Sequence, residues 1–248
     1  MTWSADFRDV LHSHAGELGK LRPALRTVRG AAPYDQTYHL SPPATLRPVL
    51  LAYARRLEGL RPHADLLLFT GMFDDLIDRR VLHATLALLR AALVEIVGDH
   101  RAAFHSPVAT TRGKANDFEL HADLFTARRL WLVFDDVPQD ASGASLLLPA
   151  AELRSLLRST TAVPSSVRRR LLSLFGTELR RDSFDELFDL MHGAHPWREA
   201  LAAELAARQL VLRLKRGEGY LCDDRRWLHG RLPVSGPVRT FRFHRLVF

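Results

Sequence analysis

Two stretches of this 248-residue chain carry side chains of the types that hold a catalytic metal. In Phe118-Glu119-Leu120-His121-Ala122-Asp123-Leu124-Phe125, apolar and polar residues alternate with the period of a β-strand that buries one face. His121 and Asp123 are two apart, so a strand would project an imidazole and a carboxylate from the same face. The second stretch, Asp223-Asp224-Arg225-Arg226-Trp227-Leu228-His229-Gly230-Arg231, offers a distant imidazole, His229. Two imidazoles and one carboxylate occupy one face of an Fe(II) octahedron and leave three positions open, the arrangement of non-haem iron oxygenases.

An isolated His-x-Asp is common in ordinary protein cores. Three further features set this one apart: His229 itself, a late arginine pair (Arg239 and Arg242), and the hydroxyl of Ser145. A dicarboxylate cosubstrate needs a fixed cation at its far end, and a guanidinium grips a carboxylate through two parallel hydrogen bonds. His83, by contrast, falls inside a helical pattern and reads as a structural or exposed histidine.

The elements that must position these residues follow from periodicity. Residues 1–30 read as a polar, partly helical lead-in and 31–43 as a proline-containing loop. Helical spacing covers 44–60 and 81–97, a short buried strand covers 65–69, and 99–116 reads as a polar loop. Strands are expected at 129–137 and 145–148. The stretch 150–209 reads as several helices broken at Pro164, Gly176, Gly193 and Pro196, and strands return over 210–248. The expected organisation is one domain: a helical lead-in (1–64), a barrel (65–149 and 210–248) and a helical insertion (150–209).

Composition narrows the class. Hydrophobic content of 47% and charged content of 25% are those of a globular protein, and the chain is long enough for a sizeable core. The net charge of +7 raises the question of nucleic acid, but the cations are scattered arginines with no basic stripe interleaved with aromatics. A small zwitterionic or anionic substrate fits better. No apolar run reaches membrane-spanning length, the start lacks a signal-peptide pattern, and Cys222 is the lone cysteine, so the expected compartment is the cytoplasm.

The segment from Gly217 through Arg231, with its glycine turn, strand, Asp-Asp-Arg-Arg run and Leu-His-Gly-Arg, resembles the distal-histidine signature of the TauD/TfdA and clavaminate-synthase-like Fe(II)/2-oxoglutarate dioxygenases. Residues 118–125 resemble their proximal His-x-Asp/Glu strand, and Ser142-Gly143-Ala144-Ser145 their Gly-Gly-x-Thr turn. Asp224 stands where that pattern has asparagine, one glycine of the turn is missing, and Ser145 replaces threonine. The resemblance implies a double-stranded β-helix (jelly roll) with flanking helices, within a mainly β, α+β class. It implies Fe(II) on His121, Asp123 and His229, with 2-oxoglutarate and O2 as cosubstrates and succinate and CO2 as products. Hydroxylation of a small molecule is the default, because halogenating relatives lack the carboxylate ligand. An amino acid or a natural-product intermediate would suit as substrate.

The family places its cosubstrate arginine ten to fifteen residues beyond the distal histidine, which admits Arg239 and Arg242. On an alternating strand Arg239 shares a face with Phe241, Phe243 and Val247, so it is preferred. Arg242 lies with Thr240 and His244. Arg245 shares the Arg239 face, where it could meet a substrate carboxylate or close the barrel with a salt bridge. The alternatives are a cupin-like metalloprotein that makes no use of 2-oxoglutarate and a non-catalytic barrel with a degenerate site.

Overall fold

The computed structural model describes residues 5–27, 36–40, 42–60, 64–71, 78–97, 104–110, 118–122, 129–137, 142–174, 178–234 and 241–247. Its elements begin with α1 (Ala5–Ser13), α2 (Ala15–Leu18), β1 (Ala24–Thr27), β2 (Gln36–His39), α3 (Arg47–Leu60), β3 (Leu66–Phe69) and α4 (Arg79–Val97). There follow β4 (Phe104–Thr110), β5 (Phe118–His121), β6 (Leu130–Asp136) and β7 (Ser145–Pro149). Helices α5 (Ala150–Ser159), α6 (Ser165–Leu174), α7 (Arg181–His192) and α8 (Arg198–Ala206) precede β8 (Leu210–Leu212), β9 (Gly219–Cys222), β10 (Trp227–Arg231) and β11 (Phe241–Val247).

Leu130-Trp131-Leu132-Val133-Phe134 is apolar at every position, which demands cover on both faces of β6. That demand sets the layers. Strand β6 is central in a five-stranded antiparallel sheet of order β3-β9-β6-β11-β4. On one face, Trp131 and Val133, with Leu221 and Leu246, pack against leucines of α3 and α4 such as Leu50, Leu57, Leu82, Leu86, Leu89 and Leu93. On the other, Leu130, Leu132 and Phe134 join Tyr220, Cys222 and Leu147. Leu147 belongs to a second antiparallel sheet of order β5-β10-β7-β8, so this cluster is the seam between the two sheets. The outer face of the second sheet, with Leu120, Leu146, Leu148 and Leu228, is covered by α5–α8 through Leu153, Leu157, Leu171, Leu187, Leu201 and Leu205. The chain is therefore layered helix, sheet, sheet, helix. No helix among the described residues is long and apolar enough to cross a membrane.

Two parts of the lead-in and one loop differ from the sequence expectation. Residues 24–27 and 36–39 pair as an antiparallel ladder where helix and loop are expected. Strand β4 occupies much of the expected loop at 99–116. Ser106 and Pro107 read as breakers, but β4 lies at the edge of its sheet, where a residue without an N–H is tolerated. In the helical stretch, α5 ends ahead of Pro164, α7 ends at Gly193 and α8 begins after Pro196, as the breakers direct. Gly176 lies outside the described residues.

Close approach fixes one glycine. A Cβ on Gly219 would sit 2.0 Å from the carbonyl oxygen of Leu132 on the neighbouring strand, so a side chain here would force β9 away from β6.

A polar cluster interrupts the apolar seam between α4 and the first sheet. His83 of α4 and His244 of β11 face each other with ring centroids 5.3 Å apart. Nearby, buried Asp135 takes Arg79 at 2.9 Å and Arg216 at 3.6 Å. Burial lowers both imidazole pKa values; His244, with His83 and Arg79 adding to the effect, is pushed down to about 3. A histidine whose folded pKa lies below its unfolded value of 6.5 stabilises the fold above 6.5, and that contribution is lost as pH falls toward about 3. His244→Leu should therefore flatten the acid limb of the stability profile, by up to about 1.4 kcal/mol per pH unit. Urea unfolding of both proteins at stepped pH measures this, and parallel profiles would refute it.

Candidate metal centre

Strand β10 is the middle of the site. Leu228 turns outward into the α5–α8 layer, fully buried, so its neighbour His229 takes the opposite, intersheet face. His229 pairs with Leu147 of β7 on one side and with His121 of β5 on the other. The two imidazoles lie with ring centroids 4.5 Å apart at an interplanar angle of 53°. Two sequence-distant candidate ligands are thus cross-strand neighbours.

The ring nitrogens are sorted by what lies behind them. Nδ1 of His121 is 2.7 Å from the carbonyl oxygen of Glu119, so Nδ1 donates its proton and Nε2 carries the lone pair. Nδ1 of His229 is 3.3 Å from Oδ1 of the fully buried Asp224. This donor set suits a divalent first-row metal, for which imidazole bound through one nitrogen and anchored through the other is the usual arrangement.

The His121–Glu119 contact depends on an irregularity. His121 opposes His229 and Phe118 opposes Arg231, three steps on β5 against two on β10, so β5 carries an extra residue. Such a bulge re-aims side chains. The Glu119 carboxylate reaches Arg198 of α8 at 2.7 Å and lies 3.7 Å from Nδ1 of His192 at the end of α7. Nε2 of His192 is 3.1 Å from the carbonyl oxygen of Leu120, and burial holds its pKa below the ordinary value despite Glu119. The helical layer is thereby fastened to the strand that carries His121.

The turn ahead of β10 is pinned by charge. Arg225 pairs with Asp223 at 2.8 Å and with Glu178 at 2.9 Å, and Arg226 with Asp65 at 3.0 Å. Backbone bonds from Leu179 and Ala150 to the carbonyls of Arg225 and Arg226 tie the same turn to the helical layer. The Asp-Asp-Arg-Arg run thus fixes where β10 starts, and with it the position of His229.

Ser145 begins β7, buried, opposite Arg231. It follows Gly143, whose φ of 70° is the left-handed conformation that glycine adopts without penalty. Strand alternation puts Ser145, Leu147, His229 and Arg231 on the same intersheet face. Asp123 and Arg239 lie outside the described residues. Arg242 is in β11 opposite Asp136, its side chain beyond description. Among the described residues no group of three or more His, Cys, Asp or Glu converges on one point. Arg245 is buried and pairs across strands with Leu132, a seam residue, which places it on the intersheet face. Sequence reasoning passed over Glu119 and His192: Glu119 is visible only once the bulge is known, and His192 only once α7 has docked.

The two ties to β5 differ in burial, and their loss should differ too. Arg198→Ala removes a half-exposed ion pair and should cost about 0–1 kcal/mol. His192→Phe keeps the ring but leaves the Leu120 carbonyl without this donor, for about 1–3 kcal/mol. Chemical denaturation of the two variants compares them, and an equal or reversed order would refute the reading.

No family model matches the chain, and no curated protein matches it by sequence. Solved structures do match. Asparagine oxygenase in complex with Fe(II), 2S,3S-3-hydroxyasparagine and succinate is similar over 100% of this chain and 92% of its own, with TM-score 0.57 and 13% identity. The non-haem iron oxygenase OrfP in complex with Fe is similar over 99% of this chain and 91% of its own, with TM-score 0.52 and 16% identity. OrfP with Fe, succinate and (3R,4R)-dihydroxy-L-Arg covers 99% and 92%, with TM-score 0.50 and 12% identity. At these identities the likeness is one of fold: the chain is built on the fold these iron oxygenases share.

Proposed function

We propose that this protein is an Fe(II)- and 2-oxoglutarate-dependent oxygenase that hydroxylates a small amino acid or a related natural-product intermediate. The observation that carries the reading is the placement of His121 and His229 on adjacent strands, with a carbonyl behind Nδ1 of His121 and a buried carboxylate 3.3 Å from Nδ1 of His229. The two facing antiparallel sheets are read as a double-stranded β-helix within a single domain, with α5–α8 as a helical insertion. Asp123, two residues beyond His121, would complete the triad. When bound, the metal with 2-oxoglutarate and O2 supplies oxidation of an unactivated C–H bond, releasing succinate and CO2.

The chain's own share is binding and exclusion. His121, Asp123 and His229 would hold the ion on one face and leave the rest open. Arg239 would take the far carboxylate of 2-oxoglutarate, with Ser145 contributing its hydroxyl. The sequence alternation that favours Arg239 over Arg242 requires β11 to be regular. The β11–β4 ladder is regular from Phe241 to Val247, and the register shift against β6 falls where Asp135 is the extra residue, so alternation along β11 holds. His244 and Leu246 turn toward α4, a parity that Arg242 shares, whereas Arg245 turns inward. The apolar seam behind the site keeps bulk water from the reacting centre. The amino-acid substrate class is taken from asparagine oxygenase and OrfP, whose complexes contain hydroxylated amino acids.

The test is succinate formation by the purified protein with Fe(II), 2-oxoglutarate and O2 against a panel of free amino acids. At least one should stimulate turnover and gain an oxygen atom, and His229→Ala should fall to background. Arg239→Ala should weaken the apparent 2-oxoglutarate affinity at least about tenfold, and Arg242→Ala much less. Metal binding without any 2-oxoglutarate consumption would favour the cupin-like alternative, and turnover unchanged in His229→Ala would overturn the proposal.

A further inference from the structure

Asp224 is a carboxylate with no exposed surface, set in the turn between β9 and β10. Burying a carboxylate is costly unless a hydrogen-bonding or charged partner comes with it. The arginines next to it in sequence are engaged elsewhere: Arg225 with Asp223 and Glu178, Arg226 with Asp65. Oδ1 of Asp224 instead approaches Nδ1 of His229 to 3.3 Å, and the His229 side chain is itself only 6% exposed.

We infer that Asp224 is a positioning residue that keeps the proton of His229 on Nδ1 and so presents Nε2, with raised basicity, to the metal. This rests on the metal-site reading above. Three features of the structure carry it. The carboxylate is fully buried and 3.3 Å from Nδ1, so a proton on that nitrogen is stabilised by its charge. The turn that holds it is clamped by the ion pairs of Arg225 and Arg226, so its position relative to His229 is fixed before any metal arrives. His121 is treated alike, with the Glu119 carbonyl behind its Nδ1. The difference is the charge. A carboxylate behind one ligand makes that imidazole the stronger donor, and with Asp123 it brings the negative charge around a divalent ion to two. The amide that the related pattern has at this position would orient the ring without adding charge.

Two readouts test this without reference to turnover. In the metal-free wild type, above the pH range of histidine titration, 15N NMR of His229 (assigned by its loss in His229→Gln) should show the Nδ1–H tautomer. An Nε2–H tautomer overturns the inference. Co(II) titration followed by its visible absorption should give affinities weakened roughly tenfold in Asp224→Asn and up to about a hundredfold in Asp224→Ala. The Asn variant preserves shape, so it and the wild-type NMR decide the matter if the Ala variant does not fold. Folded variants that bind Co(II) within about twofold of wild type overturn the inference alone. Failure of the wild type to bind Co(II) overturns the metal-site reading and the inference with it.

Discussion

The site depends on one register. Strand β10 runs between β5 and β7, and His229 stands opposite His121 on one side and Leu147 on the other. Side chains alternate along a strand, so a slip of one residue would turn His229 into the helical layer and Leu228 toward the seam. The fold opposes that slip from both sides. Leu228 is seated among the leucines of α5–α8, and the turn before β10 is held by Arg225, Arg226 and their acidic partners. The same packing that excludes water from the helical layer also aims the imidazole.

Regular pairing alone would not finish the site. The extra residue in β5 sends the Glu119 carboxylate toward α7 and α8 while its carbonyl comes behind His121. One bulge thus serves two purposes, orienting the His121 imidazole and fastening the helical layer to the strand beneath it. A second irregularity, at Asp135 in β6, lets a buried carboxylate meet Arg79 at the start of α4. In both places the ladder gives up regular pairing where a charged group must leave the plane of the sheet.

This division explains what could be read from the chain. Alternation made the strand at 118–121 legible and an unbroken apolar run the one at 130–136, whereas the shared face of His229, Ser145 and Arg231 emerges only from the strand register. Breakers marked the ends of α5 and α7 and the start of α8. The ladder at 24–27 and 36–39 was not legible, because strands of four residues carry too little pattern to outweigh the helix-compatible residues around them. Pro107 hid β4, since an edge position is a tertiary property. The roles of Glu119, His192 and Asp224 were hidden for a different reason: each depends on a distance set by a bulge, a docked helix or a clamped turn, and none of these leaves a periodic trace.

The distribution of charge follows the same architecture. Residues 210–248 hold nine lysines and arginines against three acids, six of the chain's net +7. Arg216, Arg225 and Arg226 are paired with acids that anchor a turn or a strand end. Arg231 and Arg245 are buried, on strands whose inner faces meet across the seam. A guanidinium held in a region of low dielectric raises the local potential far more than one in water, and so stabilises an anion placed there. The basic character that first suggested nucleic acid is thus drawn partly inward, to the faces that meet across the seam.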